Sequence, residues 1–255
     1  MSKQDHNAVV SRQFSPQAEA YLQSATHASG KDLALLAAAV GQQPQARVLD
    51  MGCGGGHVSF TLAPQVAEVV ACDLSSDMLA VVAAEAQKRQ LTNIVTTASA
   101  AEALPFADAS FDVVATRYSC HHWQDMAAGI KEMNRVLKPG GLGIFVDVVS
   151  PGKPLLDTWL QSIELLRDPS HVQDASPAIW QQRLQAAGFT VTEEHAFKLP
   201  LNFAAWVARM QTPELQVAAI RALQRQAGGE VASYFGFADD GSFTVDTRLM
   251  FARRH

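Results

Sequence analysis

The sequence predicts an α/β fold, a doubly wound and mostly parallel sheet with helices on both faces and an antiparallel last strand. Three observations carry that expectation. Short apolar runs alternate with amphipathic stretches at helical spacing from residue 46 onward. The first run, Arg47-Val48-Leu49-Asp50, enters the glycine-dense turn Met51-Gly52-Cys53-Gly54-Gly55-Gly56 and then a helix whose apolar face starts at Val58. The second run ends in Asp73, roughly 20 residues past the turn, where doubly wound folds place an acid at the strand tip.

The elements follow in order. Residues 1–46 read as helical. One helix spans 17–28, with Ala18, Tyr21, Leu22 and Ala25 at helical spacing, Ser15 as cap, Pro16 at the first position and Gly30 closing it. A second spans 32–40, and residues 41–45, with Pro44, form the loop into the first strand. Phe14, Tyr21 and His27 are read as an N-terminal lid, or equally as packing against the sheet's neighbours. Strand two covers 68–73. Ser75 or Ser76 caps the next helix, whose body is 79–90. Strands three and four cover 93–97 and 109–116. A helix at 126–137 points Ile130, Met133 and Leu137 inward, a turn at 138–141 ends it, and strand five covers 142–149. Asp147 is read as a solvated strand-end acid or as a substrate-facing one. Beyond it come an amphipathic helix at 155–167, a polar loop at 168–176 with His171 exposed or in the pocket, and a helix capped by Ser176-Pro177 running to 187. Strand six covers 190–197, a helical insertion 200–228, and the antiparallel last strand 242–252.

Composition narrows the function classes. Of 255 residues, 48% are hydrophobic and 18% charged, enough for one sizeable core. A net charge of −5 gives no basic footprint for nucleic acid. No apolar run reaches the ~18 residues of a membrane span, and the N-terminus is polar without a signal core. Three cysteines, Cys53, Cys72 and Cys120, suggest no disulfide frame and point to a reducing, cytoplasmic setting. The expected partner is a small molecule, and the protein a monomer or homodimer.

The glycine turn narrows the ligand. Gly52, Gly54 and Gly56 permit left-handed backbone and close approach. Asp50 just before them would repel a pyrophosphate and suits a cationic ammonium group, so the inferred ligand is nucleoside-like and positively charged. The dinucleotide fingerprint G-x-G-x-x-G fails in both registers, its third place falling on His57 or Ser59. Asp73 matches a ribose diol, and Leu74 and Met78 are placed to flank a flat base. The alternatives are a tight strand-to-helix connection without a ligand, and Asp73 as a plain helix cap.

From Asp50 to Gly56 the pattern D-x-G-x-G-x-G resembles motif I of the class I S-adenosylmethionine-dependent methyltransferases. Three further segments resemble the same family. Cys120-His121-His122 with Asp125 is similar to its Leu-His-His-x-x-Asp, and Arg135-Val136-Leu137-Lys138-Pro139-Gly140-Gly141 is similar to its Arg-Val-Leu-Lys-Pro-Gly-Gly. Ala98 to Phe106 is similar to its Gly-Asp-Ala-Glu-x-Leu-Pro-Phe, with Ala100 in place of the Asp, Ala101 keeping the amide and Glu102 matching. The resemblance covers roughly residues 45–150 well and the tail loosely, and is closest to ubiquinone- and menaquinone-biosynthesis-like small-molecule methyltransferases.

This resemblance implies a Rossmann-like seven-stranded sheet in one domain over 1–255. Residues 1–45 would be a helical lid, 46–150 the cofactor core and 151–255 the substrate side. It implies S-adenosylmethionine as cofactor and in-line methyl transfer to an oxygen or carbon nucleophile. Asp50 would anchor the methionyl part, Gly52, Cys53 and Gly54 would let the backbone approach, and Asp73 would hold the ribose. Leu74, Met78 and Ala101 would enclose adenine, with Ala100 and Glu102 beside them, and Arg117 would offer a carbonyl. The acceptor would enter over Tyr118, His121 and His122. For the histidines three readings are open: a general base, pocket-shaping or helix-capping residues, and a metal site, for which the usual four-ligand spacing is missing. A non-catalytic binder of the same cofactor and a nicotinamide-dependent oxidoreductase are the rival functions, the second disfavoured by the failed fingerprint.

Overall fold

The computed structural model describes residues 5–24 and 28–255. Seven strands form one sheet in the order β3-β2-β1-β4-β5-β7-β6. They are β1 Gln43–Met51, β2 Val66–Asp73, β3 Ile94–Ala98, β4 Phe111–Arg117, β5 Leu137–Val149, β6 Phe189–Leu201 and β7 Phe243–Arg254. Strands one to five are parallel. β7 enters antiparallel between β5 and β6. Strand order reverses between β1 and β4, which opens a crevice at their C-terminal ends.

Both faces of the sheet are buried, so its central strands are near-continuously apolar. Successive side chains of β1 go to opposite faces. Val48 packs with Leu33, Leu36 and Val40 of α3 (Lys31–Val40) and with Val58 and Leu62 of α4 (His57–Leu62). Leu49 and Met51 pack on the other side with Ile130 and Met133 of α6 (Met126–Val136) and with Trp180 and Leu184 of α8 (Pro177–Ala186). A third cluster joins Leu156, Trp159 and Ile163 of α7 (Pro154–Arg167) to the insertion between β6 and β7. That insertion is three helices, α9 (Phe203–Arg209), α10 (Glu214–Gln226) and α11 (Gly229–Phe235). On the chain's N-terminal side lie α1 (His6–Phe14), a 3-10 turn (Ser15–Gln17) and α2 (Ala18–Leu22). Between β2 and β3 runs α5 (Ser76–Lys88), capped by Ser75 Oγ, which accepts from the Met78 amide. Among the described residues no helix is long and apolar enough to cross a membrane.

Several boundaries differ from the sequence expectation. β1 starts at Gln43, and a register irregularity between Gln43 and Arg47 accommodates Pro44, which has no N–H to donate. β5 begins at Leu137, so the expected turn at 138–141 is an irregular first part of the strand. β6 runs on to Leu201 through Pro200, tolerated because β6 is an edge strand. Gly30 stands in extended backbone directly before Lys31 of α3. The Ser15-Pro16 start is a 3-10 turn that follows another helix. The helix expected over 17–28 stops at Leu22, and Ala25 and His27 lie on residues 25–27, outside the described residues.

Candidate functional site

A cleft opens at the C-terminal ends of β1, β2 and β4, where doubly wound sheets bind their ligands. Asp50 and Asp73 stand at the tips of the adjacent β1 and β2, and both line it. Asp50 is 1% exposed. Its Oδ2 accepts from the Ser59 amide at 3.0 Å and from Ser59 Oγ at 2.6 Å, tying the strand tip to α4. Burial outweighs these hydrogen bonds and pushes its carboxyl up to about 6. Asp73 accepts from the Gly54 amide on Oδ2 and from the Ser75 amide on Oδ1, each at 2.9 Å. Burial raises its carboxyl too, against those backbone hydrogen bonds.

The turn between the acids is built by glycine for two distinct reasons. Gly52 has φ +67°, and a Cβ there would sit 1.9 Å from Ser119 Oγ. Gly55 faces the N-terminal segment: its Cβ would lie 2.8 Å from the backbone nitrogen of Leu22. At Gly54, by contrast, a Cβ would meet nothing within 4 Å, so the turn opens into the cleft there.

The remaining walls come from distant segments. Cys53, Leu74, Met78, Ala101 and Glu102 line the cleft, as do Arg117 and Tyr118. Ala100 does not, while its neighbour Ser99 does, its hydroxyl donating to the Ala103 carbonyl at 2.8 Å. The N-terminal segment covers the cleft with Val10, Phe14 and Tyr21. It is held by His57 Nε2, 3.0 Å from the Tyr21 carbonyl, by Ser15 Oγ, 2.8 Å from Ser75 Oγ, and by Phe14 edge-on to His122 at 4.8 Å. Trp123, which the sequence reading passed over, also lines the cleft and donates to Ser119 Oγ at 2.9 Å.

The tip of β4 is pinned. Arg117 Nε meets Asp32 Oδ2 of α3 at 2.5 Å, with both side chains under a tenth exposed. The next residue, Tyr118, adopts φ +54°, a left-handed backbone uncommon outside glycine and typical of constrained functional sites.

His121 and His122 part company. His121 Nδ1 lies 2.5 Å from Asp147 Oδ1. Burial pulls the imidazole down, but the Asp147 charge and hydrogen bond prevail, together with more distant Asp174 and Glu164, and hold it at about 9. Asp147 is thus a buried partner, not a solvated acid. His122 is driven well below the usual range by burial and by the charge of His121. Its Nδ1 lies 3.3 Å from the Ser170 carbonyl, which can only accept, so Nδ1 carries the proton and Nε2 keeps its lone pair. His122 lines the cleft; His121 does not. Among the described residues no group of three or more His, Cys, Asp or Glu side chains is arranged to hold a metal ion.

A second cavity of about 570 Å3 shares Tyr21, Tyr118 and His122 with the first and extends past His121 to Glu164 and Arg167 of α7, Asp174, and Trp206 and Arg209 of α9. None of these last five was singled out from sequence as a site residue. The one available signal was that α7 places Glu164 and Arg167 near its apolar stripe. The loop at 168–176 is polar, yet Asp168, Ser170, His171 and Asp174 are buried. His171 is held by Gln161 at 2.7 Å, and burial and neighbouring cations lower it to about 3.

Comparison with known proteins places this geometry. A family model described as a methyltransferase domain matches residues 49–145. The protein YafE of Escherichia coli strain K12 is 49% identical over 203 residues, 80% of this chain and 98% of that protein. The uncharacterized methyltransferase YcgJ of Bacillus subtilis strain 168 is 35% identical over 200 residues, 78% of this chain and 79% of that protein. The crystal structure of a putative methyltransferase from Bacillus halodurans C-125 superposes with a TM-score of 0.84 at 32% identity, covering 88% of this chain and 99% of that one.

Proposed function

The chain belongs to the class I S-adenosylmethionine-dependent methyltransferases that act on small molecules, and from that premise we propose that its cofactor lies across the turn between Asp50 and Asp73, with the acceptor entering beside His122. The carrying observation is the pair of acids at neighbouring strand tips, facing one cleft on either side of a glycine turn that is open at Gly54. Those residues fit the cofactor. Asp73 has carboxylate lone pairs beyond the two amide hydrogen bonds it accepts, which suits ribose hydroxyls. Asp50 at the other end suits the methionyl ammonium, directly or through water. Gly52, Cys53 and Gly54 form the floor, and Arg117 offers its carbonyl. Leu74, Met78 and Ala101 form an apolar slot for the base, with Ser99 and Glu102 at its polar edge and Ala100 behind it.

When bound, S-adenosylmethionine supplies a methyl group already activated on a positive sulfur. The chain's task is then alignment, in-line displacement by an oxygen or carbon atom of the acceptor. In this reading Tyr118, fixed by its strained backbone, and His122 border the reacting atoms. The unprotonated Nε2 of His122 takes the acceptor's proton if that proton must leave, and His121 acts on His122 from behind as a fixed cation. Residues 1–45 serve as a lid, 46–150 as the cofactor core and 151–255 as the acceptor side. The three described cysteines are all free and buried, which supports a reducing, cytoplasmic setting.

Calorimetry tests the assignment. S-adenosylmethionine should bind the full chain, NAD should not compete, and Asp73→Ala should weaken binding by about 1–3 kcal/mol, the range for a lost charge-assisted hydrogen bond. Unchanged affinity in the variant, or a preference for NAD, would remove the ribose assignment.

A further inference from the structure

The second cavity carries two guanidinium groups that enter from different elements. Arg167 is buried; its Nε donates to the Trp206 carbonyl at 3.0 Å, and its charge acts on the Tyr21 hydroxyl. Its Nη1 is 3.7 Å from Glu164 Oε2, an ion pair without a hydrogen bond. Arg209 approaches the other side of the same tyrosine, its guanidinium carbon 5.8 Å from the ring centre. Its Nη1 donates to Ser24 Oγ at 3.2 Å, but its Nε is buried with no hydrogen-bond partner. A buried donor left unmade costs free energy that a ligand can recover. A planar guanidinium fork matches a carboxylate better than any other common small-molecule group.

We infer that this cavity is the acceptor subsite, and that it selects an acceptor carrying a carboxylate, seated on Arg209 and Arg167 while the atom to be methylated sits at the mouth formed by Tyr118 and His122. The inference rests on the methyl-transfer reading above and adds the chemical class of the acceptor. Two acids, Glu164 and Asp174, share the cavity and argue the other way. Burial raises both carboxyls, Asp174 well above the ordinary range, which weakens their hold on the two guanidinium groups. His121 lies on the same wall, its charge met by Asp147 at 2.5 Å. What the cavity offers is the unpartnered Nε–H of Arg209 beside Arg167, donors that a carboxylate accepts from and an ammonium group cannot.

Titrations of the full chain with benzoate, benzamide and benzylamine, each run beside one with S-adenosylhomocysteine, separate the two claims. Benzoate is expected to bind at least about tenfold more tightly than the amide or the amine, a preference of ~1.4 kcal/mol. Arg209→Gln should abolish that preference and Arg209→Lys retain part of it, with S-adenosylhomocysteine affinity within about twofold in both, showing that the variants are folded. If S-adenosylhomocysteine binds but benzoate does not, or binds no better than benzamide or benzylamine, the carboxylate subsite is refuted and the methyl-transfer reading stands. If S-adenosylhomocysteine itself fails to bind, the reading falls and the acceptor inference with it.

Discussion

His121, in the 3-10 turn that follows β4, and Asp147 of β5 meet at 2.5 Å, and this contact divides two adjacent histidines into a cation and a neutral base. The imidazolium formed with Asp147 lies 4.1 Å, ring centre to ring centre, from His122 and disfavours a second charge there. Neighbouring titratable groups with divergent pKa values are the pattern of acid–base sites.

The first consequence is a stability that depends on pH. His121 rises from 6.5 to about 9 on folding, so its contribution is full below pH 6.5 and is lost as pH climbs through about 9. The shift corresponds to about 3 kcal/mol. Thermal melts from pH 6 to 10 should show a decline across that window in the native chain and a flatter profile in His121→Gln. A decline of equal size in the variant would dissociate the effect from His121.

Turnover should respond to His122 in a different window. Because His122 is held neutral well below its ordinary range, the acid limb of kcat should lie well below pH 6.5. His122→Ala should lower kcat by about 10²–10⁴, the usual worth of a general base, with cofactor affinity little changed. An equal loss in kcat and in cofactor affinity would assign His122 to binding instead.

The ion pair of Asp32 and Arg117 fixes the tip of β4 against α3, with side chains 8% and 4% exposed. Asp32→Ala removes the counter-charge of a buried guanidinium and should destabilise the protein by about 3 kcal/mol. Urea denaturation measures it, and a change under 1 kcal/mol would show that the pair is dispensable.

Gly55 carries the seating of the N-terminal segment. In Gly55→Ala the new methyl would press on the Leu22 nitrogen at 2.8 Å and the Tyr21 carbonyl carbon at 2.9 Å. Backbone cannot yield as a flexible side chain does, so α2 should lift. We expect about 1–3 kcal/mol of destabilisation and faster proteolysis confined to the first turns of the chain. An unaltered cleavage pattern would show that the segment does not depend on this contact.

Much of the cleft around the glycine turn was legible in the sequence because it is encoded locally. The turn from β1 into α4 is set by glycines a residue apart, and the acids at 50 and 73 each end an apolar run, so their positions follow from strand periodicity alone. Ala100 shows the limit: its place in a motif did not bring it onto the cleft wall, which Ser99 and Ala101 supply. Trp123 and Asp32 were missed because the sequence shows an aromatic and an acid in unremarkable surroundings, and only the packing of α3 and the β4 tip brings them in.

By itself the sequence determined the alternation of strands and helices and the paired acids around the glycine turn. Period-two burial and turn chemistry are properties of neighbouring residues, and they survive without knowledge of the rest of the chain. Tertiary structure alone decided the second cavity and the loop beside it. The polar loop at 168–176 is buried where composition suggests solvent. His121 finds Asp147 26 residues on, and His122 finds Ser170 48 residues on. The charge of a buried group is set by what lies beside it in space, and no spacing along the chain records that.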